Sequence, residues 1–408
     1  MVTVFDHCNL LDLELGDMRP AYIVVEKGTV REVSDTRPSF REARRIDVGG
    51  RTVMPGLIDA HAHVTLSEVN LGRLGAVPPT LMAARASSSM RAMLDRGFTT
   101  VRDMGGADYG LVQAVREGHF AGPRLFISGR PLSQTGGHAD HRLRTEGDGC
   151  GCSGALAFQS RIVDGRDAVR RGVREELRLG AHQIKIMASG GVASEHDPID
   201  GTQFSIEEIE TAVAEAASWG TYVGAHAYGA DAIRRIVQAG VRTVEHGNLL
   251  DAQGARLMAE RGAYLVPTLV AYDMLAKSGA EHGLSPASGE KLQVVLAAGL
   301  DSLRLARNAG VKIGFGSDLL GPLQGAQSRE FLIRAEAEPP IDILRSATMV
   351  NAEIVQQSGK LGVIAPGSHA DLLVVDGNPL KDLSVLTDTG ASLELIMANG
   401  RIHKNRIG

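Results

Sequence analysis

The spacing of apolar residues changes character twice along the chain. Near the start they fall in short β-like runs at 22–25, 30–33, 46–48 and 52–53, and the same texture returns at 370–376 (ADLLVVD) and 394–402 (ELIMANGRI). Between these ends, compact apolar runs of strand length occur at 57–63, 99–104, 124–128, 183–188, 222–227, 243–247, 264–269 and 312–318. Helical periodicity lies between most of them, as in IEEIETAVAEAASWG at 206–220 and ADAIRRIVQAG at 230–240, each closed by a glycine suited to a left-handed cap. Eight buried strands alternating with helices predict an α/β fold, a (β/α)8 barrel over residues 57–360. The β-rich ends, 1–56 and 361–408, are then expected to pair as one small sandwich built from both termini. Two connections exceed ordinary turns: 130–165 after the third strand and 189–205 after the fourth. Both would lie at the C-terminal face of the barrel, where active sites sit, as lids or substrate walls.

Composition narrows the class. With 408 residues, 43 % hydrophobic, 22 % charged and a mean hydropathy of −0.03, the chain has material for a large core, which excludes disorder, collagen and a coiled coil. A net charge of −5 and a pI near 6.2 leave no basic field for nucleic acid. No apolar run reaches the roughly 18 residues of a membrane helix. The opening MVTVFDHCNLLDLELGDM carries acids where a secretory signal is basic. Three cysteines, Cys8, Cys150 and Cys152, cannot build a disulfide framework, so the expected compartment is the cytoplasm and the expected partner a small molecule, on a homo-oligomer. There are 8 lysines against 35 arginines, which makes a lysine inside an apolar strand conspicuous.

That lysine is Lys185, between Ile184 and Ile186 on the fourth strand, where a free ammonium is costly to bury alone. The first strand ends in His61-Ala62-His63, whose i, i+2 spacing aims both imidazoles to one face. An isolated pair of this kind is more often two polar strand-end residues than a metal site. However, His226 ends the fifth strand, His246 the sixth and Asp318 the eighth, after Gly314 and Gly316, which permit close approach. Six such residues on five strands, nearly all at a strand's C-terminal end, form a metal-ligand constellation. Histidine and carboxylate donors suit zinc, and manganese, iron and cobalt also accept them.

At these residues the chain resembles the amidohydrolase superfamily, in its binuclear-metal branch. The resemblance spans nearly the whole chain and includes MPGLIDAHAH at 54–63, GSD at 316–318 and GVIAPGSHADLLVVD at 362–376. It implies that Lys185 is carboxylated by CO2 and that the carbamate and a hydroxide bridge two divalent metal ions, zinc by preference. His61, His63 and Asp318 would hold the first ion, and His226 and His246 the second. Asp318 would also act as the catalytic proton acceptor in hydrolysis of an amide bond. GGHADHR at 136–142, KIMASGGVAS at 185–194 and HAYG at 226–229 resemble the imidazolonepropionase-related group that includes Xaa-Pro dipeptidases and ochratoxin-type amidases. In those dipeptidases a histidine after strand three and a tyrosine after the strand-five ligand hold the substrate carboxylate. These map to His138 and Tyr228, with Arg142 or Arg144 as a further fork.

The resemblance therefore implies a dipeptidase of prolidase type. Its alternatives are an amidase for N-acyl amino acids or ochratoxin-like amides, and a cyclic-amide hydrolase like imidazolonepropionase. A mononuclear deaminase or a non-catalytic barrel belongs to a different class, and Lys185 with the complete ligand set argues against both. Other motifs receive plainer readings. Cys150 and Cys152 supply only two ligands and read as solvated loop thiols. His7, His119, His182, His282, His369 and His403 lie away from the strand ends and read as surface residues, whereas His141 and His196 sit on the long loops within reach of substrate. Glu207, Glu208 and Glu210 open a helix after Ser205, where acids suit the N-terminal dipole.

Overall fold

The computed structural model of the chain describes residues 2–142, 160–194 and 197–407. Arg144, Cys150, Cys152 and His196 lie outside the described residues. The eight apolar runs form the barrel strands β1 (Leu57–Ala62), β2 (Phe98–Asp103), β3 (Arg124–Ile127), β4 (Ile184–Met187), β5 (Val223–Gly229), β6 (Thr243–Leu249), β7 (Tyr264–Val266) and β8 (Lys312–Ile313). β1 to β3 pair in parallel, as do β4 to β8. The two sheets close on each other where His182 N donates to Ile127 O at 2.7 Å and Ala60 N donates to Phe315 O at 2.8 Å. The result is a parallel α/β barrel.

Two strands are shorter than their apolar runs predict. β7 stops at Val266 because Thr268 takes a left-handed conformation (φ +49°) and starts the helix Leu269–Ser278. β8 keeps only two regular residues. Beyond it the Asn351 side chain replaces the ladder, donating to Ile58 O and Phe315 O and accepting from Phe315 N at 3.0 Å. The helices follow their periodicity closely. Ile206–Ser218 begins in a capping box between Ser205 and Glu208, so the acidic run caps a helix, and its C-terminus passes into Gly220 at φ +73°.

Both termini build one eight-stranded network. Thr52–Pro55 pairs antiparallel with Leu372–Val375, Val53 opposite Val374, which joins the two ends of the chain. The longest strand, Val2–Asp12, is absent from the sequence expectation. Its apolar run is interrupted by Asp6 and His7, and there the register shifts and His7 adopts φ +53°, a bulge that hides the strand's period. The run at 394–402 is a hairpin, Leu393–Ala398 and Arg401–Asn405, turned at Asn399-Gly400 with both φ values positive. Leu372–Val375 and Leu393–Ala398 are buried on both faces. Leu372, Val374, Leu395 and Met397 enter the sandwich core, while Leu373, Val375, Leu393 and Ile396 pack toward the barrel with Met90, Leu94 and Phe98. Among the described residues no helix is long and apolar enough to cross a membrane.

Candidate metal centre

At the C-terminal mouth of the barrel, His61, His63, Lys185, His226, His246 and Asp318 line one small cavity of about 70 Å³. The structure thus brings all six predicted ligands together. One nitrogen of each imidazole is tied by a partner outside the cavity. His61 Nδ1 meets Glu245 Oε2 at 2.8 Å, His63 Nδ1 meets Gly105 O at 2.8 Å, His226 Nε2 meets Gly190 O at 3.1 Å and His246 Nδ1 meets Thr268 Oγ1 at 2.8 Å. Such partners fix ring orientation and tautomer, leaving the opposite nitrogen as a donor to a cation. Donor atoms of His61, His63 and Asp318 lie within 4.8 Å of one another, close enough to share one ion. Asp318 Oδ1 is 3.0 Å from His63 Nε2 and 3.4 Å from His61 Nε2. His226 and His246 stand edge to face at 4.6 Å, on the Lys185 side of the barrel.

Backbone geometry serves this arrangement. His246, Thr268 and Asp318 all hold positive φ, at +76°, +49° and +50°, a strained state for non-glycine residues that concentrates at functional sites. Asp318 N and Ser317 N both donate to His61 O, which fixes the aspartate against β1. At Gly316 a Cβ would sit 2.8 Å from His61 Cβ, so only glycine lets this segment approach the ligand strand.

Charge is balanced by groups that sequence reasoning did not single out. Glu245 lies fully buried between His61 and Arg102. Burial opposes its ionisation, and the Arg102 guanidinium and His61 overcome that to hold it at about 2. Against the same burial, the imidazoles of His61, His63 and His246 keep the Asp318 carboxyl well below the usual range. Burial, with neighbouring imidazoles, keeps His226 and His246 far below ordinary histidine, hence neutral as ligands must be. Lys185 is 2 % exposed, and its ammonium makes no hydrogen bond or salt bridge among the described residues. Burial brings it down to about 8 despite the attraction of Glu245 and Asp318. An unpartnered amine facing four oriented imidazoles and a carboxylate is a donor set that fits divalent cations.

The predicted carboxylate-binding pair borders the same cavity. His138 stacks on His226 with ring centroids 4.3 Å apart, and its Nδ1 meets Ser194 Oγ at 2.7 Å and Asp197 Oδ2 at 3.5 Å. Gly191 is required for this: a Cβ there would lie 2.1 Å from His138 Cε1. Tyr228 is buried, shares the inward side with His226 as predicted, and its hydroxyl accepts from Tyr272 at 2.9 Å. Tyr272 and Asp197 are functional candidates that sequence reasoning missed. The only signal was position, four residues past Thr268 on a helix and inside the loop after β4. Arg142 lies in the adjoining outer cleft, its guanidinium forked on Asp140 at 2.7 Å through both Nε and Nη2, and it is not among the residues lining the small cavity. His141 does line it, and burial with His138 nearby lowers it to about 4.

A family model described as the amidohydrolase family matches residues 52–402. The chain is a member of the amidohydrolase family. It is 32 % identical over 354 residues to the ochratoxinase of Aspergillus niger, covering 83 % of this chain and 73 % of that one. Among solved structures it matches a prolidase crystallised with N-methylphosphonate-L-proline at 52 % identity and a TM-score of 0.97, over 99 % of this chain and all of the other. A Xaa-Pro dipeptidase with bound methionine matches at 30 % identity and a TM-score of 0.88, again over 99 % and 100 %. These agree with the predicted superfamily and with a barrel carrying an added sandwich domain. They make the chain a hydrolase of a family that is typically metal-dependent.

Proposed function

We propose that this amidohydrolase is a two-metal enzyme that cleaves the amide bond of small acyl amino acids with a free C-terminal carboxylate, Xaa-Pro dipeptides foremost. The observation that carries this reading is that His138 and Tyr228 both line the imidazole-lined cavity and both pack against the His226 ring. The similarity to a prolidase crystallised with a proline phosphonate supports it. In this reading His61, His63 and Asp318 would hold one ion and His226 and His246 the other, with Lys185 contributing to both as a carbamate. A buried amine brought down to about 8 is partly neutral near that pH, the form that adds to CO2, forming an N–C bond and releasing one proton. Two divalent ions, zinc by preference, would acidify water and polarise the scissile carbonyl.

The chain's own residues do the rest. Asp318, ionised and half-buried, can take a proton from water and return it to the leaving nitrogen. The Tyr228 oxygen accepts from Tyr272, so its own hydrogen is available to a substrate carboxylate. With Nδ1 of His138 turned to Ser194 and Asp197, Nε2 is left for the same anion. Leu66, Leu71, Leu275 and Leu320 also line the cavity and suit an apolar acyl group. That lining also suits the second reading, hydrolysis of N-acyl amino acids or ochratoxin-type amides, the latter being what the ochratoxinase name implies for its bearer.

The deciding measurement is kcat/KM for a panel of Xaa-Pro dipeptides, their C-terminal amides, N-acyl amino acids and a cyclic amide. Hydrogen bonds to a charged group contribute about 1.5–3 kcal/mol each. Tyr228→Phe and His138→Ala should therefore weaken turnover of free acids by roughly ten- to a hundredfold while the amides change little. Equal losses on both, or preferred cleavage of the cyclic amide, would refute carboxylate recognition.

A further inference from the structure

The loop after β4, residues 189–205, supports both halves of the site. Its Gly190 carbonyl ties His226, while Ser194 and Asp197 tie His138. The base of the loop is closed by a bridge between Ser189 and Thr202. Its crest is held from outside, by Lys291 on the helix Pro286–Asn308. The Lys291 ammonium donates to the carbonyls of Gly191 at 3.1 Å, Ser194 at 2.8 Å and Asp197 at 2.5 Å, and lies 3.7 Å from Asp197 Oδ1. Its side chain is only 16 % exposed.

Three carbonyl dipoles pointed at one spot repel one another unless a positive charge occupies it. The group needed is compact, with three divergent donors, which describes an ammonium and not a planar guanidinium. Lys291 is not among the residues lining the small cavity, so it acts through the loop and not on substrate. We propose that Lys291 is a positioning residue, a built-in monovalent cation whose capture by the Gly191, Ser194 and Asp197 carbonyls shapes the loop that orients His138 toward the substrate carboxylate. This rests on the reading of His138 given above.

Removing the cation while leaving its cage intact tests the idea. In the full-length metal-loaded enzyme, Lys291→Ala should raise KM for an Xaa-Pro substrate about tenfold or more, with kcat within about threefold of wild type. Millimolar ethylammonium should restore KM in the variant and leave wild type unchanged. Tetramethylammonium, with equal charge and no N–H donor, should not. Hydrogen exchange across residues 189–205, read by mass spectrometry, should quicken in the variant and slow again with ethylammonium. Unchanged KM and exchange, equal rescue by both cations, or a matched fall in kcat without rescue would overturn the proposal. If Lys291→Ala does not fold, Lys291→Gln is read on the same axes: partial loss supports the role and wild-type values oppose it. If wild type proves indifferent to the substrate carboxylate, the reading of His138 falls, while exchange and its rescue still decide what Lys291 does.

Discussion

A primary amine set among apolar neighbours on a barrel strand has to find a partner, be neutral or become something else, and Lys185 has no hydrogen-bonding partner among the described residues. In the proposed reading, carboxylation would turn this liability into an anion serving two cations. Lys185→Ala should lower the metal content from about two ions per chain, as a bridged pair requires, to one or fewer. Activity should largely vanish, with partial rescue by short carboxylic acids. Full activity with two ions bound would remove Lys185 from the site. Glu330 poses a second residue-scale test. It is fully buried, Oε2 accepts from Val270 N at 2.6 Å, and Oε1 has no hydrogen-bond partner among the described residues. Burial pushes its carboxyl up to about 7 from the usual 4.5. A carboxyl that stays protonated longer in the folded state stabilises it fully below about pH 4.5, and that contribution is lost as pH rises through about 7. The shift corresponds to about 3 kcal/mol at most. Glu330→Gln, which mimics the neutral form, should gain stability relative to wild type between pH 5 and 8 in denaturant titrations; parallel curves would show that Glu330 does not titrate in this window.

Elements place these residues by where they run and where they stop. β1 delivers His61 and His63 around its end, β5 and β6 present His226 and His246 at their midpoints, and β7 yields to a left-handed Thr268 that turns its hydroxyl to His246. The loop after β4 works by close approach, with Gly191 flat against the His138 ring. Gly191→Ala should leave secondary structure and Tm near wild type yet displace that ring. KM for free-carboxylate substrates should rise more than KM for their amides, and a wild-type KM would show that the ring is not held there. Strand and helix positions were legible from periodicity because burial imposes it. The early stop of β8 was not, since the polar cap that replaces its ladder comes from Asn351, far along the chain.

At the scale of the molecule, the sandwich and the barrel share strands' faces as well as a chain. Leu393, Leu395, Ile396 and Met397 are each at most 1 % exposed and divide between the two cores. Burying such side chains contributes about 1.5–3 kcal/mol each, a sum comparable to the roughly 5–15 kcal/mol net stability of a folded domain. A chain ending at residue 392 should therefore lose its cooperative thermal transition and its soluble yield. A wild-type transition would show the last strands to be an ornament on an independent barrel.

What the amino-acid order determined by itself was whatever rests on period and spacing. Eight apolar runs set the barrel, the helix caps followed from Ser205 and the trailing glycines, and the HxH pair, two strand histidines, a lysine inside an apolar strand and the aspartate after Gly314 and Gly316 marked the six ligand candidates. The strand Val2–Asp12 escaped because a bulge broke its period. Which second nitrogen each imidazole gives up, how Arg102 and Glu245 balance charge beneath Lys185, and how Asp197, Tyr272 and Lys291 reach His138 and Tyr228 were decided only by tertiary structure. Those contacts join residues from 22 to 184 positions apart, and no local pattern encodes a meeting that depends on closing the barrel.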